Sequence, residues 1–338
     1  MELPESIYLL FSPEERVKLE IRTIKGDASN RQYFRVTGAH ETSVVCADPV
    51  FRANDPRSYP FLIVRDLFDR HGIRVPALLS MALEHGLLLL EDCGDLMLQD
   101  EVPLLNREHL AARYRQIIDL LVRIQSIKPD GDGPDMAIPF SLSFDEEKLM
   151  FEFDFFIEHA LNGYFRGQLD SRAIAELRQE FLAITDLLVL PEHFVLNHRD
   201  FHSRNIMLFR DEPVIIDFQD ARLGLPQYDI VSLLRDSYVR LDPVMVDELK
   251  RYHFDQLVQN NLTAMNREEY LRLFDLMAFQ RNVKAVGTFC YQTTVIGNRA
   301  FEPSIEATLG YLREYIDARP ELAAAGRLLE PLIPGMSR

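Results

Sequence analysis

The periodicity of the chain changes at Asp92, and that change restricts the possible folds more than any other feature. Before it, short extended runs surround one helical period; after it, long helical periods dominate. Ile21 to Val36 reads as two strands joined at Gly26-Asp27-Ala28-Ser29-Asn30, with Arg31, Tyr33 and Arg35 on one face of the second. Ser43 to Ala47 is a third, apolar strand, ended by Asp48-Pro49. Tyr59 to His71 has helical period, with Phe61, Leu62, Val64, Leu67 and Phe68 forming most of a face and Gly72 at its end. Val75 to Met81 and Gly86 to Leu90 read as two more strands, the second apolar throughout and therefore buried. The expected class is α+β: a small mixed β lobe over 1–92 and a larger, mainly helical lobe over 93–338. A chain of 338 residues is long enough for both.

Within the helical part, Asn106 is placed to cap a helix running to about Lys128, and Pro129 to Pro139 is a loop by composition. Ser143 and Glu146 form a capping-box pattern ahead of the next helix, whose aromatic-rich stretch Phe151 to Phe165 reads as core. Another helix spans Ser171 to about Leu187. Short strands follow at Phe194 to Asn197, Asn205 to Phe209 and Val214 to Phe218, the last two joined at Arg210-Asp211-Glu212-Pro213; from Tyr228 onward helices prevail.

Composition excludes several classes of function. Apolar residues are 47% and charged residues 27%, the usage of a globular protein rather than a disordered one. Against 37 Lys and Arg stand 53 Asp and Glu, a net charge of -16 with no basic run, which argues against nucleic-acid and anionic-membrane partners. Only six of the cations are lysines, so most positive charge is guanidinium, suited to bidentate recognition of phosphate or carboxylate. Cys46, Cys93 and Cys290 are odd in number and far apart, which excludes a disulfide framework and indicates a reducing compartment. No uncharged apolar run approaches the roughly 18 residues that span a bilayer. A soluble, cytoplasmic monomer is expected.

The chemistry concentrates between the short strands. His198-Arg199-Asp200-Phe201-His202-Ser203-Arg204-Asn205 is followed, twelve residues after Asn205, by Asp217-Phe218-Gln219. Phosphoryl transfer asks a protein mainly to position a hydroxyl and to neutralise phosphate charge. A carboxylate on the first loop can accept the hydroxyl proton, while an amide and a second carboxylate, brought together by the hairpin, are hard oxygen ligands for magnesium. His198 and His202 lack a third ligand nearby and read as structural hydrogen-bonding groups of the loop. Asp229 reads as an acceptor that holds that loop.

These segments resemble the catalytic and metal-binding parts of protein-kinase-like folds, and the flanking helices resemble the aminoglycoside and choline phosphotransferase branch. The resemblance runs through the hairpin Gly26 to Arg35, the crossover Glu91-Asp92-Cys93-Gly94-Asp95, the loop His198 to Asn205, Asp217 to Ala221, and Gly224 to Asp236. Within that branch the chain is most similar to the bacterial kinases that phosphorylate the anomeric hydroxyl of N-acetylmuramate and N-acetylglucosamine in cell-wall recycling. The resemblance implies ATP and Mg2+ as cofactors and a small amino sugar as substrate. It makes Asp200 the catalytic base and Asn205 and Asp217 the metal ligands. Gly26, Asp27, Ala28, Ser29 and Asn30 would cover the phosphates, and backbone groups of Glu91 to Cys93 would bind adenine.

One departure stands out: Ser43-Val44-Val45-Cys46-Ala47-Asp48 holds no lysine, where kinases usually place one on the third strand. Arg31 and Arg35 are the candidate replacements; the ordinary reading of both is solvent-facing strand residues. Arg204, Arg281 and Lys284 are the candidate substrate residues. Arg281 and Lys284 lie three apart on a helix and suit the carboxylate of a muramic sugar, although a solvated helix face is their ordinary reading. Two other functions stay open: transfer to an aminoglycoside or amino alcohol, whose positive charge favours a carboxylate-lined pocket, and a catalytically weak, nucleotide-responsive binding protein.

Overall fold

Four successive leucines, Leu87 to Leu90, can be buried only if both faces of their strand are covered, and the small lobe is arranged to do this. The computed structural model describes residues 5–24, 31–38, 41–53, 55–129, 137–167, 169–334 and 336. The short helix α1 (Pro13–Arg16) precedes β1 (Glu20–Ile24), β2 (Gln32–Thr37) and β3 (Thr42–Ala47). Then come α2 (Pro49–Ala53), α3 (Pro60–Arg70), β4 (Leu78–Ala82) and β5 (Leu87–Glu91). The strands pair antiparallel in the order β1-β2-β3-β5-β4. Leu88, Leu90 and Cys46 join Phe61, Leu62, Val64, Leu67 and Phe68 of α3 on one face. Leu87, Leu89, Phe34, Val36 and Val45 pack with Ile7 on the other. β4 begins at Leu78 rather than Val75, because Pro76 cannot donate to the ladder.

The helical lobe adds α4 (Leu98–Glu101), α5 (Arg107–Gln125), α6 (Ala137–Ser141), α7 (Glu146–Phe156) and α8 (Ser171–Leu188). Asn106 caps α5, accepting the His109 N–H at 2.9 Å, as its position predicts. For α7 the cap is Asp145, which accepts the Lys148 N–H at 2.8 Å; Ser143 instead bridges Leu223, so the capping box read from Ser143 and Glu146 does not form. Residues 137–139, expected in a loop, belong to α6. α7 continues as a π-helix over Ile157–Tyr164, closed where Phe165 N–H donates to the Ala160 carbonyl at 2.9 Å. Phe153 and Phe156 are buried as expected of core, whereas Phe151 is 58% exposed.

Four short strands carry the polar loop: β6 (Val195–Asn197), β7 (Ile206–Phe209), β8 (Glu212–Ile215) and β9 (Arg222–Gly224). β7 and β8 turn at Arg210 and Asp211, both with positive φ, the pattern of a two-residue hairpin turn. β8 stops at Ile215, short of Phe218, because Asp217 adopts φ 63° and leaves the extended region. The strand β9, which pairs with β6, was not expected.

Five further helices complete the lobe: α9 (Gln227–Leu234), α10 (Pro243–Gln259), α11 (Arg267–Thr294), α12 (Glu302–Ala318) and α13 (Ala323–Leu329). Asn266 caps α11, which crosses the C-terminal end of α7 so closely that a Cβ at Gly287 would stand 2.9 Å from Phe156 Cα. One apolar core runs through both lobes, and Phe218 sits between them against Phe61 and Phe68, at ring separations of 5.0 and 5.8 Å. Cys46, Cys93 and Cys290 are buried free thiols. Among the described residues, no helix is long and apolar enough to cross a membrane.

Candidate active site

The loop between β6 and β7 is held from below by α9. Asp229, fully buried at the start of that helix, accepts the backbone N–H groups of His198 and Arg199, the second at 3.0 Å. This anchors Arg199 at φ 87°, a left-handed conformation that a non-glycine residue keeps only when its surroundings enforce it. Burial pushes the Asp229 carboxyl up to about 7, with the two N–H bonds opposing the rise. Asp236, just past α9, accepts the Ser203 N–H at 2.8 Å and pins the far side of the loop. Sequence reasoning assigned it no role, because it lies beyond the end of the helix that carries Asp229.

Of the two loop histidines, His198 makes the hydrogen bond within the loop expected of it. His198 is buried, with Nε2 3.0 Å from the Ile216 carbonyl and Nδ1 accepting the Asp200 N–H at 3.3 Å. His202 packs edge-on against Tyr238, and burial pushes its ring down to about 3, so it is neutral. Arg204 stacks over the same Tyr238 ring, 4.7 Å from its centroid.

Asp200 receives three cations. Lys284 Nζ lies 2.9 Å and Arg281 Nη2 3.4 Å from Oδ1, and Arg199 Nε lies 4.0 Å from Oδ2. Burial would raise this carboxyl, but Lys284, then Arg199 and Arg281, outweigh it and hold Asp200 well below the usual carboxylate range. The same burial lowers the Lys284 ammonium, opposed by Asp200. A solvated face is therefore wrong for Arg281 and Lys284: Arg281 is 6% exposed, and both reach from the packed helix α11 into the loop.

Asn205 donates Nδ2 to the Asp200 carbonyl at 2.9 Å, which orients its amide. Ile216 N–H donates to the Asn205 carbonyl at 3.1 Å, bringing the start of β7 and the end of β8 together and Asp217 beside Asn205. Asp217 Oδ1 accepts the Gln219 amide at 2.9 Å. Among the described residues no group of three or more His, Cys, Asp or Glu is placed to hold a metal. An amide and a carboxylate nevertheless fit Mg2+, which usually takes one or two protein oxygens and completes its shell with phosphates and water.

On the nucleotide side, Gly26, Asp27, Ala28, Ser29 and Asn30 lie outside the described residues. The two arginines of the hairpin part company. Arg31 Nε donates to Asp48 Oδ2 at 2.8 Å, Tyr59 O–H donates to the same carboxylate, and the guanidinium stands 5.8 Å from the Phe61 ring centroid. Arg35 instead spends its fork on the crossover, donating to Asp95 at 2.9 Å, Asp92 at 3.0 Å and the Gly94 carbonyl at 3.0 Å. That network fastens β2 to the crossover. Glu91 pairs with Arg74 at 2.5 Å and accepts the Ala77 N–H. Cys93 is buried, and its backbone N–H meets no backbone acceptor among the described residues.

The sequence missed a further set of charges around Asp200. Arg199 Nη1 donates to Asp220 Oδ2 at 2.6 Å, Gln280 Nε2 to Glu152 Oε2 at 2.9 Å, and Lys148 Nζ lies 3.6 Å from Glu152 Oε1. Arg222 Nε donates to the Asp220 carbonyl at 3.2 Å. Lys148 and Glu152 show only as one i,i+4 pair, and Arg222 sits in the unexpected strand, so neither carried a signal.

The family model described as "Phosphotransferase enzyme family" matches residues 20–264, which include the hairpin, the crossover, the polar loop and Asp217. The chain belongs to this family. A Pseudomonas aeruginosa relative named N-acetylmuramate/N-acetylglucosamine kinase is 31% identical over 320 residues, 94% of this chain and 89% of the relative. Among solved structures, Plasmodium vivax ethanolamine kinase superposes with a TM-score of 0.63 at 14% identity, covering 94% of this chain and 87% of that one. The streptomycin-ATP-APH(2")-IIa ternary complex does so with a TM-score of 0.58 at 16% identity, covering 93% and 97%. The fold is the two-lobe kinase-like one, and the chain is a phosphotransferase.

Proposed function

We propose that the protein transfers the γ-phosphoryl group of ATP, with Mg2+, to the anomeric hydroxyl of N-acetylmuramate or N-acetylglucosamine, acting as a cytoplasmic monomer. The convergence of Asp200, Asn205 and Asp217 carries the reading, because a base and two hard oxygen donors are what phosphoryl transfer requires. The relative's name supplies the acceptor.

In this reading Asp200 takes the hydroxyl proton while Lys284 and Arg281, from α11, hold its Oδ1. Asn205 and Asp217 hold the metal, whose charge offsets that of the phosphates. Arg31, oriented by Asp48, is the cation that replaces the absent third-strand lysine. The Cys93 N–H offers adenine a donor. Polycationic acceptors such as aminoglycosides would meet Arg199, Arg281 and Lys284 as like charges, which disfavours the second acceptor class.

The test is nucleotide release across amino sugars, neutral hexoses, choline and aminoglycosides, with phosphorus NMR of the product. An anomeric phosphate cannot open to an aldehyde, so the reducing-end signal should fall in step with ADP release. ADP release with an undiminished reducing end refutes the anomeric assignment. Asp200→Asn should lose about 100- to 10,000-fold in turnover while still binding nucleotide, and retention of half the activity removes Asp200 as the base.

A further inference from the structure

The charges around Asp200 are not matched one to one. Asp200 is taken by Lys284 and Arg281, and Asp220 by Arg199. Arg222 donates one hydrogen bond, to a carbonyl, and lies 5.4 Å from the Phe144 ring centroid; among the described residues it pairs with no carboxylate. Lys148 stands 4.9 Å from the Phe151 ring centroid and shares Glu152 with Gln280. Glu152 is 4% exposed, and its Oε1 accepts no hydrogen bond among the described residues. Gln280, next to Arg281 on α11, donates to the Glu152 that Lys148 contacts, and Asp220, whose carbonyl takes Arg222, pairs with Arg199 beside Asp200, which ties Lys148 and Arg222 to the loop. They therefore belong to the same wall as the Asp200 loop.

A chain of net charge -16 with six lysines places two of them, Lys148 and Lys284, here beside three arginines. Partly desolvated like charges repel, and the arrangement is relieved when an anion enters. Arg281 and Lys284, the residues expected to meet a substrate carboxylate, are already committed to Asp200, so Arg222, with no carboxylate partner among the described residues, and Lys148, whose contact with Glu152 is 3.6 Å long, are the cations left for it.

We propose that Lys148 and Arg222 bind a carboxylate on the acceptor, with Glu152 Oε1 accepting one of its hydroxyl or amide hydrogens, so that the cleft selects an acidic sugar over its neutral counterpart. The inference rests on the sugar-kinase reading and names the group of that substrate that is recognised. A guanidinium offers a carboxylate two parallel N–H bonds, and an ammonium adds a third donor from the side.

The test compares kcat/KM for N-acetylmuramate and N-acetylglucosamine in Lys148→Met and Arg222→Met, which keep the apolar stems. It also measures the methyl ester of N-acetylmuramate on the unchanged protein. Each variant should lose about tenfold or more on N-acetylmuramate relative to its loss on N-acetylglucosamine, the size expected for a charge-assisted hydrogen bond. The ester should be turned over more slowly than the acid. Parallel losses on both sugars, or an ester as good as the acid, overturn the inference alone. If the unchanged protein turns over neither sugar, the sugar-kinase reading falls and the inference falls with it.

Discussion

Lys284 is the first of the cations that keep Asp200 ionised. Burial favours the neutral carboxyl, and the ammonium 2.9 Å away is the largest charge opposing that tendency. A base works only when deprotonated, so Lys284→Met, by letting the carboxyl rise, should move the acid limb of the kcat/KM profile to higher pH. Lys284→Arg, which keeps the charge, should largely restore it; a limb that stays in place shows that Lys284 does not set the protonation of Asp200. Asp229 acts in the opposite sense. Its folded carboxyl, pushed up to about 7 from 3.8, binds a proton more readily than the unfolded chain does. Its contribution to stability therefore falls as pH rises from about 4 toward 7 and stays low above that. Asp229→Asn should flatten the decline of Tm over that window, an outcome that thermal melts at several pH values would check. A variant that declines as steeply as the parent shows that the slope comes from other groups.

At the scale of elements, the contact between α7 and α11 sets the wall that faces Asp200, since one helix carries Lys148 and Glu152 and the other Arg281 and Lys284. Glycine to alanine inside a helix ordinarily gains about 1 kcal/mol. At Gly287 the new methyl would meet Phe156 backbone at 2.9 Å, so the helices must separate, and Gly287→Ala should instead lose about 1–3 kcal/mol in chemical denaturation. A stabilised variant would show that the helices give way without cost. Helices with a long apolar stripe or a capping asparagine, such as α3 and α5, were legible because period and cap are local. The apolar strands β3 and β5 were legible for the same reason. β9 was not, since three residues carry no period and only its partner β6 makes it a strand. In the site, Asp200, Asn205 and Asp217 stood out because they are close in sequence. Lys148 and Glu152 on α7 lie far from these in sequence, Arg222 lies on β9, and only the tertiary fold brings the three to the site.

Across the whole molecule, the same core that packs α3 continues beneath the polar loop, with Phe218 seated between Phe61 and Phe68. Burying one such ring contributes about 1.5–3 kcal/mol, and this one reaches from the helical lobe to two rings of the small lobe. Unfolding should therefore be one cooperative transition, with loss of far-UV helicity and of near-UV tyrosine signal superimposing on heating; two resolved transitions would contradict it. Phe218→Ala should lower that single transition rather than split it, at a cost of about 3–5 kcal/mol. The change of period at Asp92 marks where one kind of structure gives way to another, but the seat of Phe218 makes it a poor place to cut. A fragment ending at Asp92 would turn Phe61 and Phe68 to water, and its complement would do the same with Phe218. Each piece should then be recovered as aggregate when expressed alone, and in soluble form only when both are made together.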